Sequence, residues 1–309
     1  MCRHVRRPSG ASRRSPRSRY DPVSLPRRPC EPSTWATHLN TASPVQDNAA
    51  PVLIAHRGFS SRHPEMTRAA YQAAIDWAHE TEIPLGLECD VHFSADDELI
   101  CLHDLTLDRT STSSGRAYER TVAELKQLDF GSRSFPDPEP EQRELITLRE
   151  LMIMVRDARQ ERIPVSMVIE TKHPNDRGRA VEERVAAMLV EFGWDQPGAP
   201  VRLLSFSVKA LRRFGWLLPG LKRTLLLEDD LGRWRDGKLP DGVRVVGPDL
   251  TLIKEDPKFV ERSLQRGHQV HVWTVNEPDD IRFCRDLGVT GFTTDYPDRV
   301  AAILAETPH

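Results

Sequence analysis

The chain of 309 residues lacks the marks of a membrane protein, a disulfide-stapled secreted module and a structural zinc domain. No stretch approaches the ~18 consecutive apolar residues of a membrane helix, so stable insertion into a bilayer is not expected. Its five cysteines, Cys2, Cys30, Cys89, Cys101 and Cys284, are odd in number and show no metal-ligand spacing. Such usage suits a reducing compartment, and a cytoplasmic location is expected. Twin arginines occur near the start, but no apolar segment follows them, so no export signal is legible. No internal repeat is visible.

Apolar period is also missing from residues 1–50. That segment carries nine arginines spaced by serine and proline, against only Asp21, Glu31 and Asp47, a balance of +6. With −3 for the whole chain, the remainder carries −9. A segment of this composition buries almost nothing and is expected to be a disordered basic tail. It has the charge to touch nucleic acid or anionic lipid. The plainer reading is a solvated leader, or a start codon set too early, and no nucleic-acid partner is expected. Residues 51–309 then form one domain near the ~250 residues of a single barrel.

Within that domain apolar runs alternate with stretches of helical period, the pattern of a parallel sheet covered by helices. Strands are expected at 52–56, 85–91, 98–102, 165–170, 201–206, 223–228, 243–247, 269–275 and 290–294. Leu148, Leu151, Met152 and Val155 share one helical face, as do Val181, Val185, Met188, Leu189 and Phe192. The segment LDFGSRSFPDPEPEQREL (128–145) reads as a surface excursion. Eight strand–helix units close a TIM-type (β/α)8 barrel, which leaves a ninth strand over. Only seven residues separate Val91 from Leu99, too few for a parallel crossover, so 98–102 should fold back as a β-hairpin at the barrel mouth. With Asp96-Asp97 as its turn, Asp90 would stand opposite His103.

Charged and polar residues collect at the ends of these strands, where barrels place their sites. Glu88 and Asp90 are two apart on one strand and therefore face the same way, while Cys89 faces the other. Glu170, at the end of another strand, adds a third carboxylate. Three oxygen ligands without sulfur suggest a hard divalent cation, Mg²⁺ or Ca²⁺. The bland alternative pairs these acids with Arg57 and Lys172 in a structural charge network. Arg57, Lys172 and a cation together would hold a phosphate by several oxygens at once. His56 and His103 at the same rim would serve as acid and base, and the reaction class indicated is metal-assisted phosphodiester cleavage.

The ordered series His56-Arg57-Gly58, Pro64-Glu65-Met66-Thr67, Glu88 with Asp90, His103-Asp104, Leu107-Asp108-Arg109-Thr110, Glu170 with Lys172, Ser205-Phe206, Trp273 to Asn276 and Gly291 with Thr294-Asp295-Tyr296-Pro297 closely resembles the glycerophosphodiester phosphodiesterases. The resemblance spans residues 52–300. It implies a barrel that hydrolyses a small-molecule glycerophosphodiester to glycerol 3-phosphate and an alcohol. It implies His56 and His103 as acid and base, Glu88, Asp90 and Glu170 as metal ligands, and Arg57 and Lys172 as phosphate binders. Trp273 would line the pocket near the glycerol, or simply belong to the core. Gly58 is expected to let backbone approach the substrate. Met66 departs from the family's usual asparagine, so a polar contact near the site is expected to be lost or supplied by another residue. Leu145-Ile146-Thr147-Leu148 stands where the family has a proline, and His63 matches no motif. Alternatives within reach are a lysophospholipase D-like or cyclising phosphodiesterase of the same barrel superfamily, and a non-catalytic phosphate-binding barrel. Neither the alcohol released nor the oligomeric state is legible.

Overall fold

The computed structural model describes residues 50–175 and 177–306, so the expected tail, apart from Ala50, lies outside the described residues. Nine strands are present among those residues: β1 (Val52–Ala55), β2 (Leu85–Phe93), β3 (Leu99–Cys101), β4 (Val165–Thr171), β5 (Val201–Ser205), β6 (Lys222–Leu227), β7 (Val245–Pro248), β8 (Gln269–Val272) and β9 (Gly291–Thr294). All but β3 run parallel, in the order β1-β9-β8-β7-β6-β5-β4-β2, and β1 pairs with β2 to close the barrel. The helices that cover it include α1 (Arg68–Thr81), α3 (Leu148–Gln160), α4 (Ala180–Glu191) and α5 (Val208–Leu217), while the short α2 (Val122–Leu125) belongs to the segment between β3 and α3.

Alternation along the strands decides what faces where. Leu85, Leu87, Cys89 and Val91 of β2 join the main core between sheet and helices, whereas Ile54, Val168, Leu204 and Leu226 form a separate apolar cluster. The helical faces read from the sequence are the buried ones: Leu148, Leu151, Met152 and Val155 on α3, and Val181, Val185, Met188 and Leu189 on α4. Thr147 opens α3 with a reciprocal capping box to Glu150, an arrangement worth about 1 kcal/mol.

The hairpin forms as expected, with β3 antiparallel to β2, but its register is shifted by one residue. Val91 pairs with Cys101 and Phe93 with Leu99, so Leu102, not His103, faces Asp90, and its N–H donates to Asp90 O at 3.0 Å. The turn has three central residues rather than two. Asp97 takes a left-handed φ of 62°, and the Ser94 side chain accepts from the N–H of Glu98 at 3.1 Å, which fixes the longer loop. The expected strand at 269–275 also stops early, and Trp273 lies just past the end of β8. The excursion is more than a surface loop. Phe130 and Leu145 are buried with Ile100, Leu102, Leu107, Ala117 and Leu125 in a small core of their own beneath the hairpin.

Candidate active site

Where β1 ends, His56 turns toward the segment after β9. Its Nδ1 lies 2.7 Å from Asp295 Oδ1, and a carboxylate only accepts, so Nδ1 carries the proton and Nε2 is left for other work. Asp295 is fixed by neutral donors: Asn276 Nδ2 donates to Oδ2 at 2.7 Å and Ser60 Oγ lies 2.9 Å from Oδ1. Asn276 Oδ1 in turn accepts from Asp295 N at 2.9 Å and Thr294 Oγ1 at 3.0 Å. Burial alone would push the Asp295 carboxyl up, but His56, Asn276 and Ser60 reverse this and hold it at about 2.

The neighbouring strands bring the acids together. Asp90 and Glu170 are register partners across β2 and β4, with Glu88 two residues earlier on the same face. Glu88, Asp90 and Glu170 are all buried, and each offers an oxygen within 4.8 Å of the others. Lys172 Nζ lies 2.9 Å from Asp90 Oδ1 and 2.8 Å from Glu170 Oε1. Arg57 Nε stands 3.5 Å from Asp90 Oδ2, and the Arg57 backbone N–H donates to Glu88 Oε2 at 3.0 Å.

The side-chain contacts of Lys172 and Arg57 with Asp90 and Glu170 are ion pairs rather than aligned hydrogen bonds, for both Asp90 oxygens and Glu170 Oε1 lack a hydrogen-bond partner among the described residues. Burial opposes ionisation of Asp90, yet Lys172 and Arg57 draw it down to about 2. The two bases do not suffice for all three acids. Burial and the charge on Asp90 push Glu170 up to about 8 and Glu88 well above the usual range. The purely structural charge network is therefore short of positive charge, and a hard cation among these oxygens would supply it.

The second imidazole is mounted on the hairpin. His103 Nδ1 lies 2.6 Å from Asp104 Oδ1, and His92 Nε2 donates to the His103 carbonyl at 3.1 Å. Asp104 Oδ2 accepts from Arg109 Nε at 2.6 Å. Arg109 grips both oxygens of Glu65 at 2.8 Å, and Glu65 also accepts from Arg57 Nη1 at 3.0 Å. A chain of alternating charges thus runs from His103 to Arg57. Burial, assisted by Arg57 and Lys172 and opposed by Asp90, lowers the His103 pKa.

All eight residues singled out in the sequence, His56, Arg57, Glu88, Asp90, His103, Glu170, Lys172 and Trp273, line one cavity of about 670 Å³. Trp273 is both wall and anchor. Its Nε1 donates to Gly247 O at 2.7 Å, and its ring meets Phe206 edge-on at 5.7 Å. Two local expectations need correction. A Cβ on Gly58, whose φ is 85°, would stand 2.8 Å from the Ala70 backbone, so this glycine seats α1 against the strand end rather than clearing a path for substrate. Met66 is buried in the main core at φ 56°, a left-handed conformation that asparagine adopts more readily than methionine. The family's asparagine thus matches a backbone demand at this position, beyond any polar contact. His63 is half-buried and bonded to Gln142 at 3.0 Å.

Glu65, Asp104, Arg109, Asn276 and Asp295 hold the two imidazoles and Arg57 in place. Each stood in a recognised motif, yet none was given a role from sequence. Neighbouring motif positions were the one available signal, because Arg109 and Glu65 lie 44 residues apart and His56 and Asp295 lie 239 apart.

What the mouth holds defines a class before any family is considered: a (β/α)8 barrel enzyme furnished for an anionic ester. The model described as the glycerophosphoryl diester phosphodiesterase family matches residues 56–299, and the chain belongs to that family. A Mycobacterium tuberculosis protein named probable glycerophosphodiester phosphodiesterase 1 is 36% identical over 280 residues, 88% of this chain and 97% of that protein. The Bacillus subtilis glycerophosphodiester phosphodiesterase is 31% identical over 258 residues, 79% of this chain and 83% of its own. Among solved structures, an Oleispira antarctica phosphodiesterase in complex with the product sn-glycerol-3-phosphate is similar at a TM-score of 0.69 and 25% identity, covering 83% of this chain and 98% of that one.

Proposed function

We propose that the protein hydrolyses glycerophosphodiesters to glycerol 3-phosphate and an alcohol. One observation carries the proposal: three buried carboxylates and the pair Arg57 and Lys172 converge in one cavity with two imidazoles, each held on its own carboxylate. A divalent cation, Mg²⁺ or Ca²⁺, held by Glu88, Asp90 and Glu170 would supply Lewis-acid polarisation of the phosphate and charge to balance the acids. Arg57 and Lys172, on either side of Asp90, bind phosphate oxygens.

The two histidines divide the proton work. The charge of Asp104 is shared with Arg109, and His103 is kept toward its neutral form, so His103 accepts the proton of the attacking water. Among the described residues Asp295 faces only neutral donors besides His56, and it holds the ring with Nε2 free to face the leaving group. His56 then protonates the leaving alkoxide, which is too poor a leaving group to depart unaided. Trp273 and Phe206 present ring surface to the glycerol; the indole N–H is already committed to Gly247.

Residues 51–309 are the catalytic unit in this reading, and residues 1–50 are dispensable to it. The substrate is a small molecule, and a cytoplasmic setting fits the free thiols of Cys89, Cys101 and Cys284. No helix among the described residues is long and apolar enough to cross a membrane. The test is turnover of glycerophosphodiesters with choline, ethanolamine, inositol and glycerol head groups, with lysophospholipids alongside, in the presence and absence of Mg²⁺ or Ca²⁺. ³¹P NMR should show glycerol 3-phosphate. A cyclic phosphate as final product would indicate the cyclising reaction instead, and no phosphomonoester from any diester at saturating metal would overturn the proposal.

A further inference from the structure

The same cavity has a second end. Two residues before Leu204 and Leu226 on the same strands it is lined by Arg202 of β5 and Thr224 of β6, together with His271 of β8. Arg202 is 8% exposed and His271 3%. Arg202 Nη1, both ring nitrogens of His271 and Thr224 Oγ1 are buried without a hydrogen-bond partner among the described residues.

Among the described residues no carboxylate compensates them. Burial lowers the Arg202 pKa to about 10 with no acid opposing it, and burial with the charges of Arg202 and Lys222 drives His271 well below its usual range. The imidazole is seated by design of the backbone, since a Cβ on Gly291 would stand 2.5 Å from its ring. A guanidinium buried without an acid is costly, and water reaching it through the cavity hydrogen-bonds it without neutralising its charge. Donors of three kinds, one fixed positive charge and no acid together specify the missing partner.

We infer that the floor of the barrel is a binding site for a small monovalent anion of the halide class, held by Arg202 with His271 and Thr224. The charge argues for a monovalent ion: Arg202 contributes +1, the neutral imidazole none, and Lys222, whose charge reaches His271, is exposed and does not line the cavity, so a dianion would leave an uncompensated negative charge. The site is distinct from the pair Arg57 and Lys172, whose charges are already met by Asp90, Glu170 and Glu65.

Two measurements on the full chain test this. Thermal melts at fixed ionic strength, with chloride replacing gluconate, should show a saturable rise in Tm, about 3 °C at ten times the half-saturating concentration. Arg202→Met keeps the bulk of the stem and removes the charge; its Tm should not respond to chloride. Crystals soaked in bromide should show an anomalous peak between Arg202 and His271, a result that does not depend on the variant folding. Equal Tm in chloride and gluconate, a chloride response that survives in Arg202→Met, or bromide found only beside Arg57 and Lys172 would each overturn the inference.

Discussion

The two imidazoles of the mouth look alike at first and differ in what stands behind them. His56 is carried by the ends of β1 and β9, and its carboxylate, Asp295, is fixed by an amide and a hydroxyl. His103 is carried by the hairpin, and its carboxylate, Asp104, is shared with Arg109, which is itself tied to Glu65. The bond lengths are nearly the same, 2.7 and 2.6 Å, so geometry alone does not tell acid from base. The charge on the far side of each carboxylate is what differs. Neutral donors orient Asp295 and leave its charge to the imidazole, whereas Arg109 draws off part of the charge of Asp104.

The harshest test of the comparison removes what both arms act upon. Exhaustive chelation should abolish turnover, with recovery on adding Mg²⁺ or Ca²⁺, and Glu88→Gln should weaken metal binding measured by calorimetry while leaving the circular dichroism spectrum intact. Full activity in chelator would mean the acids are structural after all. Next in size, His56→Ala and His103→Ala should each lose ~10²-fold to 10⁴-fold in kcat. An unchanged pH profile in either variant would dissolve the division of labour.

Arg109→Met probes the asymmetry itself. With Asp104 relieved of its cation, His103 should hold a proton more tightly, and the acid limb of the kcat/KM profile should move up by about half to one pH unit. No movement would show that Arg109 merely ties the hairpin down through Glu65.

Asp295 allows a stability readout on the other arm. Its carboxyl sits at about 2 when folded and near 3.9 when unfolded, so its contribution is present above pH ~4 and is lost as pH falls toward 2. With the side chain 29% exposed, about 1–2 kcal/mol is expected, and Asp295→Asn should flatten the fall in urea-denaturation stability across that window. The smallest effect is expected largely outside the described residues: removing residues 1–50 should leave Tm and turnover nearly unchanged, and a drop of many degrees would show that this segment contributes to stability.

The sequence by itself determined a good deal, because period is a local property. Strand alternation put Glu88 and Asp90 on one face and Cys89 on the other, helical spacing marked Leu148 to Val155, and the seven residues between Val91 and Leu99 left room only for a hairpin. The motifs supplied His56, Arg57, His103, Glu170 and Lys172, all of which line the one cavity. Tertiary structure decided the rest, for reasons that no local pattern carries. The left-handed turn at Asp97 moved the hairpin register by one, and Gly58 answers to Ala70 rather than to substrate. Asp295 reaches His56 across 239 residues only because β9 closes the barrel against β1. The same closure buries Arg202 Nη1 and both ring nitrogens of His271 without partners among the described residues, since alternation says that a residue points inward but not whether an opposite charge will be waiting there.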